Sequence, residues 1–209
     1  VHEALQRFKW KAPNKPQDQP HKHTTPSYGS KVQYAPEATE SPALSKERKK
    51  LVQRIVGTFL YYGRAVDASM LPALSTIASD QAEPTETTWK QVETFLNYAA
   101  SHPDAIVTYR ASNMILAAHS DASYLSEREA RSRAGGHFYL SEDKHIPPNN
   151  GAMHNTSSII KAVMSSAAEA ELGALYINAR EAVPMRLLLQ EMSHPQPKTS
   201  MQTDNTTAL

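Results

Sequence analysis

From residue 45 onward, apolar side chains recur at helical spacing: Leu51, Ile55, Phe59 and Tyr62, with Val52 and Val56 widening the stripe. That pattern predicts an amphipathic helix. A second, shorter helix is expected over 70–78, with Pro72 near its start, and a third over 85–100, burying Trp89, Val92, Phe95 and Leu96. His102-Pro103-Asp104 closes the third, because a residue before proline is pushed out of the helical region. Residues 46–104 thus read as a small helical module. Beyond Asp104 the period shortens towards two. Residues 105–109 and 114–119 read as one hairpin or two successive strands, 136–140 as another strand, and 152–164 as one or two more. A long helix is predicted over 167–192, kinked near Pro184. A short strand over 199–203 ends at Asp204-Asn205. Strands, helix and strand in that order make residues 105–209 an α/β unit.

Residues 11–45 break both periodicities. Pro13, Pro16, Pro20, Pro26, Pro36 and Pro42 stand among Gln, Lys, His, Thr and Ser, with few large apolar side chains. Such a segment buries too little surface to offset its ordering entropy and reads as an extended linker. His21 and His23 flank Lys22 there, but two histidines without further ligands make no metal site.

Composition narrows the chemistry. The 209 residues are 40% hydrophobic and 21% charged, enough for one medium domain or two small ones. No run approaches the roughly 18 apolar residues of a bilayer span, and the N-terminal residues VHEALQRFKW lack a signal peptide's apolar centre. An intracellular chain without membrane contact is expected, with cytoplasm and nucleus both open. The absence of cysteine removes disulfides, thiolate metal sites and thiol nucleophiles together. A formal net charge of +1 leaves no global basic field, so any nucleic-acid contact has to be local. The densest basic run is Lys46-Glu47-Arg48-Lys49-Lys50, with Arg54 one turn later; it reads equally as the solvated first turn of a helix.

Hard cations are held by carboxylate oxygens, which directs attention to acidic residues at the ends of elements. Asp121 follows the expected strand 114–119, Glu171 lies in the first turns of the long helix, and Asp204 ends the last strand. In SSAAEAELGAL (165–175) two glutamates stand two apart. With Ser166 as N-cap, Glu169 sits three residues on, the spacing of a capping box. At about 100° per residue, Glu171 is rotated roughly 200° from it, so the two cannot face one neighbour. One glutamate caps the helix; the other is free to point at the sheet.

The segments HSDASY (119–124), SRAGGHFYL (132–140), SSAAEAELGAL and TDNTTAL (203–209) occur in the order and approximate spacing of one family. Together they resemble the ribonuclease H region of copia-type retrotransposon polyproteins. LVQRIVGTFLYYGRAVD and EPTETTWKQVETFLNYAASHPDAIVTY look like the segment joining that family's reverse transcriptase palm to its ribonuclease H, and VHEALQRF is similar to the tail of the palm. The resemblance implies 1–10 as a palm remnant, 11–45 as linker, 46–104 as helical connection and 105–209 as a ribonuclease H-like domain with a mixed sheet. It implies metal-dependent hydrolysis of the RNA strand of an RNA–DNA hybrid, with Mg²⁺ or Mn²⁺ as cofactor. Asp121, Glu171 and Asp204 are the family's catalytic and metal-binding acids carried onto this chain, with Glu169 as the alternative to Glu171. Two metals about 3.5 to 4 Å apart require carboxylates gathered from separate elements.

The family also uses a fourth acidic residue, a final strand and a helix, which the resemblance would place beyond Leu209, making this an incomplete domain in which stability, metal binding and ribonuclease activity are expected to be impaired. No Tyr-x-Asp-Asp occurs, so polymerase chemistry is not expected of these residues. The remainder of the polyprotein, including the palm, is the expected protein partner. Lys46, Arg48, Lys49, Arg131 and Arg133 are candidate phosphate contacts on the hybrid, which is recognised mainly through its backbone and shape. His119, beside Asp121, reads as a packed or edge histidine. A second reading keeps the lineage without catalysis, leaving a relic that binds nucleic acid or another protein.

Overall fold

The computed structural model describes residues 1–22 and 41–204. Residues 23–40 of the expected linker, His23 among them, and residues 205–209 lie outside the described set. The described residues form two compact units, 1–22 with 41–106, and 107–204.

The first unit is helical. It contains α1 (His2–Arg7), α2 (Lys46–Ala65), α3 (Leu71–Asp80) and α4 (Glu86–Ser101). The stripe of α2 supplies Val52, Ile55, Val56 and Phe59 to a core completed by Leu74 and Ile77 of α3 and Val92, Phe95 and Leu96 of α4. Phe59 and Phe95 meet edge-on with ring centroids 5.1 Å apart. Ser45 caps α2 by accepting the Arg48 N–H, and Thr85 and Thr88 form a reciprocal capping box on α4. Trp89, expected in the core, is only half-buried at its rim. Its indole N–H needs an acceptor, and Glu93 one turn on supplies it at 2.9 Å. The segment expected as linker is tied down at both described ends: the Gln17 N–H donates to Ser101 Oγ at 3.0 Å, and Ala43 bridges to Thr85.

The second unit is a four-stranded mixed sheet with one long helix on it. Strands β1 (Ile115–Glu127), β2 (Arg131–Ser141), β3 (Ala152–Ile159) and β4 (Ser200–Gln202) lie in the order β3-β2-β1-β4. β1 pairs antiparallel with β2 and parallel with β4, while β3 is antiparallel to β2. Helix α5 (Ala167–Glu191) continues through Pro184. Leu116 and Ala118 of β1 and Phe138 of β2 pack against Ala182 and Leu189 of α5, with Met201 of β4 beside them. A mixed α/β architecture is therefore observed, as the period shift at Asp104 implies.

Several strand boundaries differ from the sequence reading: β2 begins at Arg131 and not at 136, β3 ends at Ile159 and not at 164, and two further differences have a clear physical reason. Residues 105–109 are not a strand: Ile106 is 88% exposed, and the backbone near Tyr109 is satisfied by side chains. Asn150 accepts the Arg110 N–H at 2.7 Å and donates to the Arg110 carbonyl at 2.9 Å. β1 is longer than expected, running through Ser-Asp-Ala-Ser, a composition that suggests a turn. Pairing with β2 overrides that local preference and puts Asp121 mid-strand, opposite Gly135. Register shifts only between Ser123 and Glu127, where Leu125 adopts φ 51°. Among the described residues no helix is long and apolar enough to cross a membrane.

Candidate metal centre

Register alone brings two of the acids together. β4 runs parallel to β1 with Gln202 level with His119, the last pair of that register, and Asp204, two residues beyond it, is thereby delivered to the neighbourhood of Asp121. Neighbouring strands are about 4.8 Å apart. β4 pairs only with Ala117, Ala118 and His119, which leaves the Ala122 N–H for another acceptor. Glu171 Oε1 takes it at 3.1 Å. One ligand oxygen from each of Asp121, Glu171 and Asp204 lies within 4.8 Å of the others.

The helix delivers Glu171 because of where its buried stripe falls. Glu171, Ala174, Asn178 and Ala182, spaced three and four apart, are the residues α5 turns to the sheet. Asn178, fully buried, ties that face down: its Nδ2 donates to Ser120 Oγ at 2.9 Å and to the Gly135 carbonyl at 2.8 Å, and its Oδ1 accepts from Thr156 Oγ1 at 3.1 Å. Glu169 points away and is exposed. Half of the expected capping box forms, Ser166 Oγ accepting the Glu169 N–H at 3.1 Å. The Glu169 carboxylate, however, accepts from the N–H and hydroxyl of Ser165 instead of the N-cap N–H. These bonds hold its carboxyl below the ordinary carboxylate range. Ser166→Ala is expected to lower stability to chemical denaturation by about 1 kcal/mol, and Glu169→Gln to leave divalent-cation affinity at the wild-type value.

Electrostatically the site is an uncompensated anion. Glu171 is 7% exposed, Asp121 and Asp204 are exposed, and among the described residues none of the three forms an ion pair with Lys, Arg or His. Burial raises the Glu171 carboxyl above the ordinary range, the Ala122 N–H opposes this, and the charges of Asp121 and Asp204 add to the rise. In the unfolded chain Glu171 loses its proton at the ordinary value, whereas the folded chain keeps it to higher pH. Between the two values the folded state binds more protons, so stability falls as pH rises through that window. With EDTA present, Glu171→Gln should remove this fall: the variant's melting temperature gains on the wild type as pH rises above the ordinary carboxylate range. A constant difference across that range would contradict the assignment.

His119 is packed, as its strand position suggests. Its ring stacks on Tyr139 with centroids 5.3 Å apart, and its Nε2 lies 2.9 Å from the Tyr139 hydroxyl. Burial, then the neighbouring His137, lower its pKa. The basic candidates are scattered. Arg133 is buried, paired with Glu127 at 2.8 Å and bonded to Ser157 Oγ at 3.1 Å, an internal tie across the bulge. Arg131 donates to the Lys161 carbonyl at 2.7 Å and pairs with Glu129 at 3.2 Å. In the first unit Arg48 pairs with Glu86 at 2.8 Å and lies over the Trp89 ring, Lys46 is exposed, and Lys49 is half-buried.

Sequence reasoning missed Asn178, whose signal was an amide seven residues after Glu171 and therefore on its face. It also missed Thr203 Oγ1, which donates to Glu171 Oε2 at 3.4 Å. Fold and site together define a mixed α/β protein whose three-carboxylate cluster could hold a metal ion. All-oxygen donors without nitrogen or sulfur suit a hard divalent cation. No protein-family model, curated protein or solved structure matches the chain.

Proposed function

We propose that this chain is part of the ribonuclease H region of a copia-type retrotransposon polyprotein and hydrolyses the RNA strand of RNA–DNA hybrids with Mg²⁺ or Mn²⁺. The observation that carries the reading is the convergence of Asp121, Glu171 and Asp204, three acids far apart in sequence and lacking a cationic partner among the described residues. The strand order β3-β2-β1-β4, with the helix delivering its acid beside β1 and β4, supports a ribonuclease H-like fold.

Bound divalent cations would supply an activated water and stabilise charge on the leaving 3′ oxygen. The chain's own part is to hold their ligands. Glu171 is fixed by the Ala122 N–H and the Thr203 hydroxyl, while the exposed Asp121 and Asp204 leave the cluster open to a phosphodiester. Backbone phosphates of the hybrid would meet Arg131, in the same unit as the metal centre, and Lys46, Arg48 and Lys49 of the first unit are separate candidates for phosphate contact; such contacts position a duplex without reading its bases. Arg133 serves the hybrid indirectly, by stiffening the bulged hairpin next to Asp121. The polymerase palm of the same polyprotein is the proposed partner. The test is cleavage of a labelled RNA–DNA hybrid with Mg²⁺ or Mn²⁺, against the same duplex in EDTA and an all-DNA duplex. Cation-dependent loss of the RNA strand alone supports the proposal; no cleavage above the EDTA control overturns it.

A further inference from the structure

The two ends of the acidic cluster are held very differently. Asp121 sits inside a strand of 13 residues, within its continuously paired stretch 115–123, and Glu171 sits on a helix of 25. Asp204 instead follows a strand of three residues that pairs on one side only. Three backbone register positions are a weak hold on a ligand two residues past the last of them. Something else has to fix the end of β4.

Side chains do this on the sheet face away from α5. Gln202, level with His119, reaches diagonally across β1 and its Nε2 donates to the Tyr139 hydroxyl on β2 at 3.1 Å. On that face of β1 the crossing passes between the fully buried Ala117, opposite Tyr139, and His119, level with Gln202. Because Gln202 donates to the hydroxyl oxygen, the hydroxyl proton is left for His119 Nε2 at 2.9 Å, with the Pro147 carbonyl a longer second acceptor at 3.5 Å. Gln202, Tyr139 and His119 thus form one directed chain of hydrogen bonds tying β4 to β1 and β2. Tyr139 is fully buried, so the anchor has little freedom to move.

We propose that Tyr139 and Gln202 are positioning residues for the metal centre, holding the end of β4 so that the Asp204 carboxylate stays within reach of Asp121 and Glu171. The inference rests on the metal-binding reading above and goes beyond it by assigning the ligand's placement to a bond two strands away. It requires that loss of this bond be felt through Asp204 and not through the fold at large.

The experiment is Mn²⁺ binding by the full chain, followed by electron paramagnetic resonance, with thermal unfolding in EDTA as the control for folding. Tyr139→Phe keeps the ring and removes the hydroxyl; Gln202→Met keeps the length and removes the amide. Each is expected to weaken Mn²⁺ binding about 10-fold, the lower end of what outer-shell partners contribute. The double variant loses no more than either single one, because one bond is broken in all three. In an Asp204→Asn background, Tyr139→Phe should have no further effect. Wild-type affinity in both single variants overturns the inference, as does an equal loss with and without Asp204. Should Tyr139→Phe unfold, Gln202→Met at the half-buried end of the chain decides the matter alone. Absence of Mn²⁺ binding in the wild type would instead remove the metal-binding reading itself, a distinct result.

Discussion

Asp121→Asn is expected to lower cation-dependent cleavage of an RNA–DNA hybrid by at least ~100-fold, more than the ~10–100-fold typical of residues that only support a metal's ligands. Asp121 contributes an oxygen to the cluster it forms with Asp204 and Glu171. An amide in its place removes a charge and halves the donor capacity facing the cation. The fold should tolerate this, since the side chain is exposed and the β1 pairing is backbone. Removing the charge also relieves repulsion on Glu171, so stability in EDTA should be unchanged or raised. Initial rates on the labelled hybrid, beside melting curves in EDTA, measure both effects. Equal rates for the two proteins would end the assignment of Asp121.

Gly136→Ala is expected to destabilise the second unit by about 3 to 5 kcal/mol, combining overpacking with buried polar groups left unmatched. A Cβ at residue 136 would lie 2.3 Å from Asn178 Oδ1 and 2.5 Å from Thr156 Oγ1. Asn178 cannot move aside cheaply, because its amide also bonds Ser120 and the Gly135 carbonyl in an environment closed to water. Displacing it breaks the contact between α5 and the sheet on the same helix face that carries Glu171. Urea denaturation followed by far-UV circular dichroism reads the loss. Gly135→Ala is the matched comparison, since its nearest contact would be the Asp121 carbonyl at an ordinary 3.8 Å. If both substitutions cost the same, the Asn178 network is not what demands glycine.

The division between the two glutamates was legible in the sequence, because it depends only on helical rotation. Ser166 marks the helix start, and the rotation to Glu171 follows. The partner of the Glu169 carboxylate was not legible. Whether it reaches the Ser166 or the Ser165 N–H depends on how the chain enters the helix, a loop geometry that no periodicity records. Residues 105–109 show the opposite failure. Their β-branched and aromatic residues are a genuine strand signal, but a strand needs a neighbour; no strand of the described sheet pairs with them, and the adjacent Arg110 is bonded by the Asn150 side chain.

By itself the sequence determined the types of most elements, residues 105–109 and α1 apart, the helical run before Asp104, the α/β unit after it, and the three acids worth comparing. Those depend on local periodicity and capping, which a few neighbouring residues express. Only the tertiary structure decided that β1 runs on past Asp121 to Glu127, that β4 runs parallel to β1 with Gln202 level with His119, and that Glu171 closes the cluster from α5. Strand register and helix docking are set by contacts between residues tens of positions apart, such as Asn178 with Ser120 and Gln202 with Tyr139. A side chain's neighbours along the chain carry no record of them.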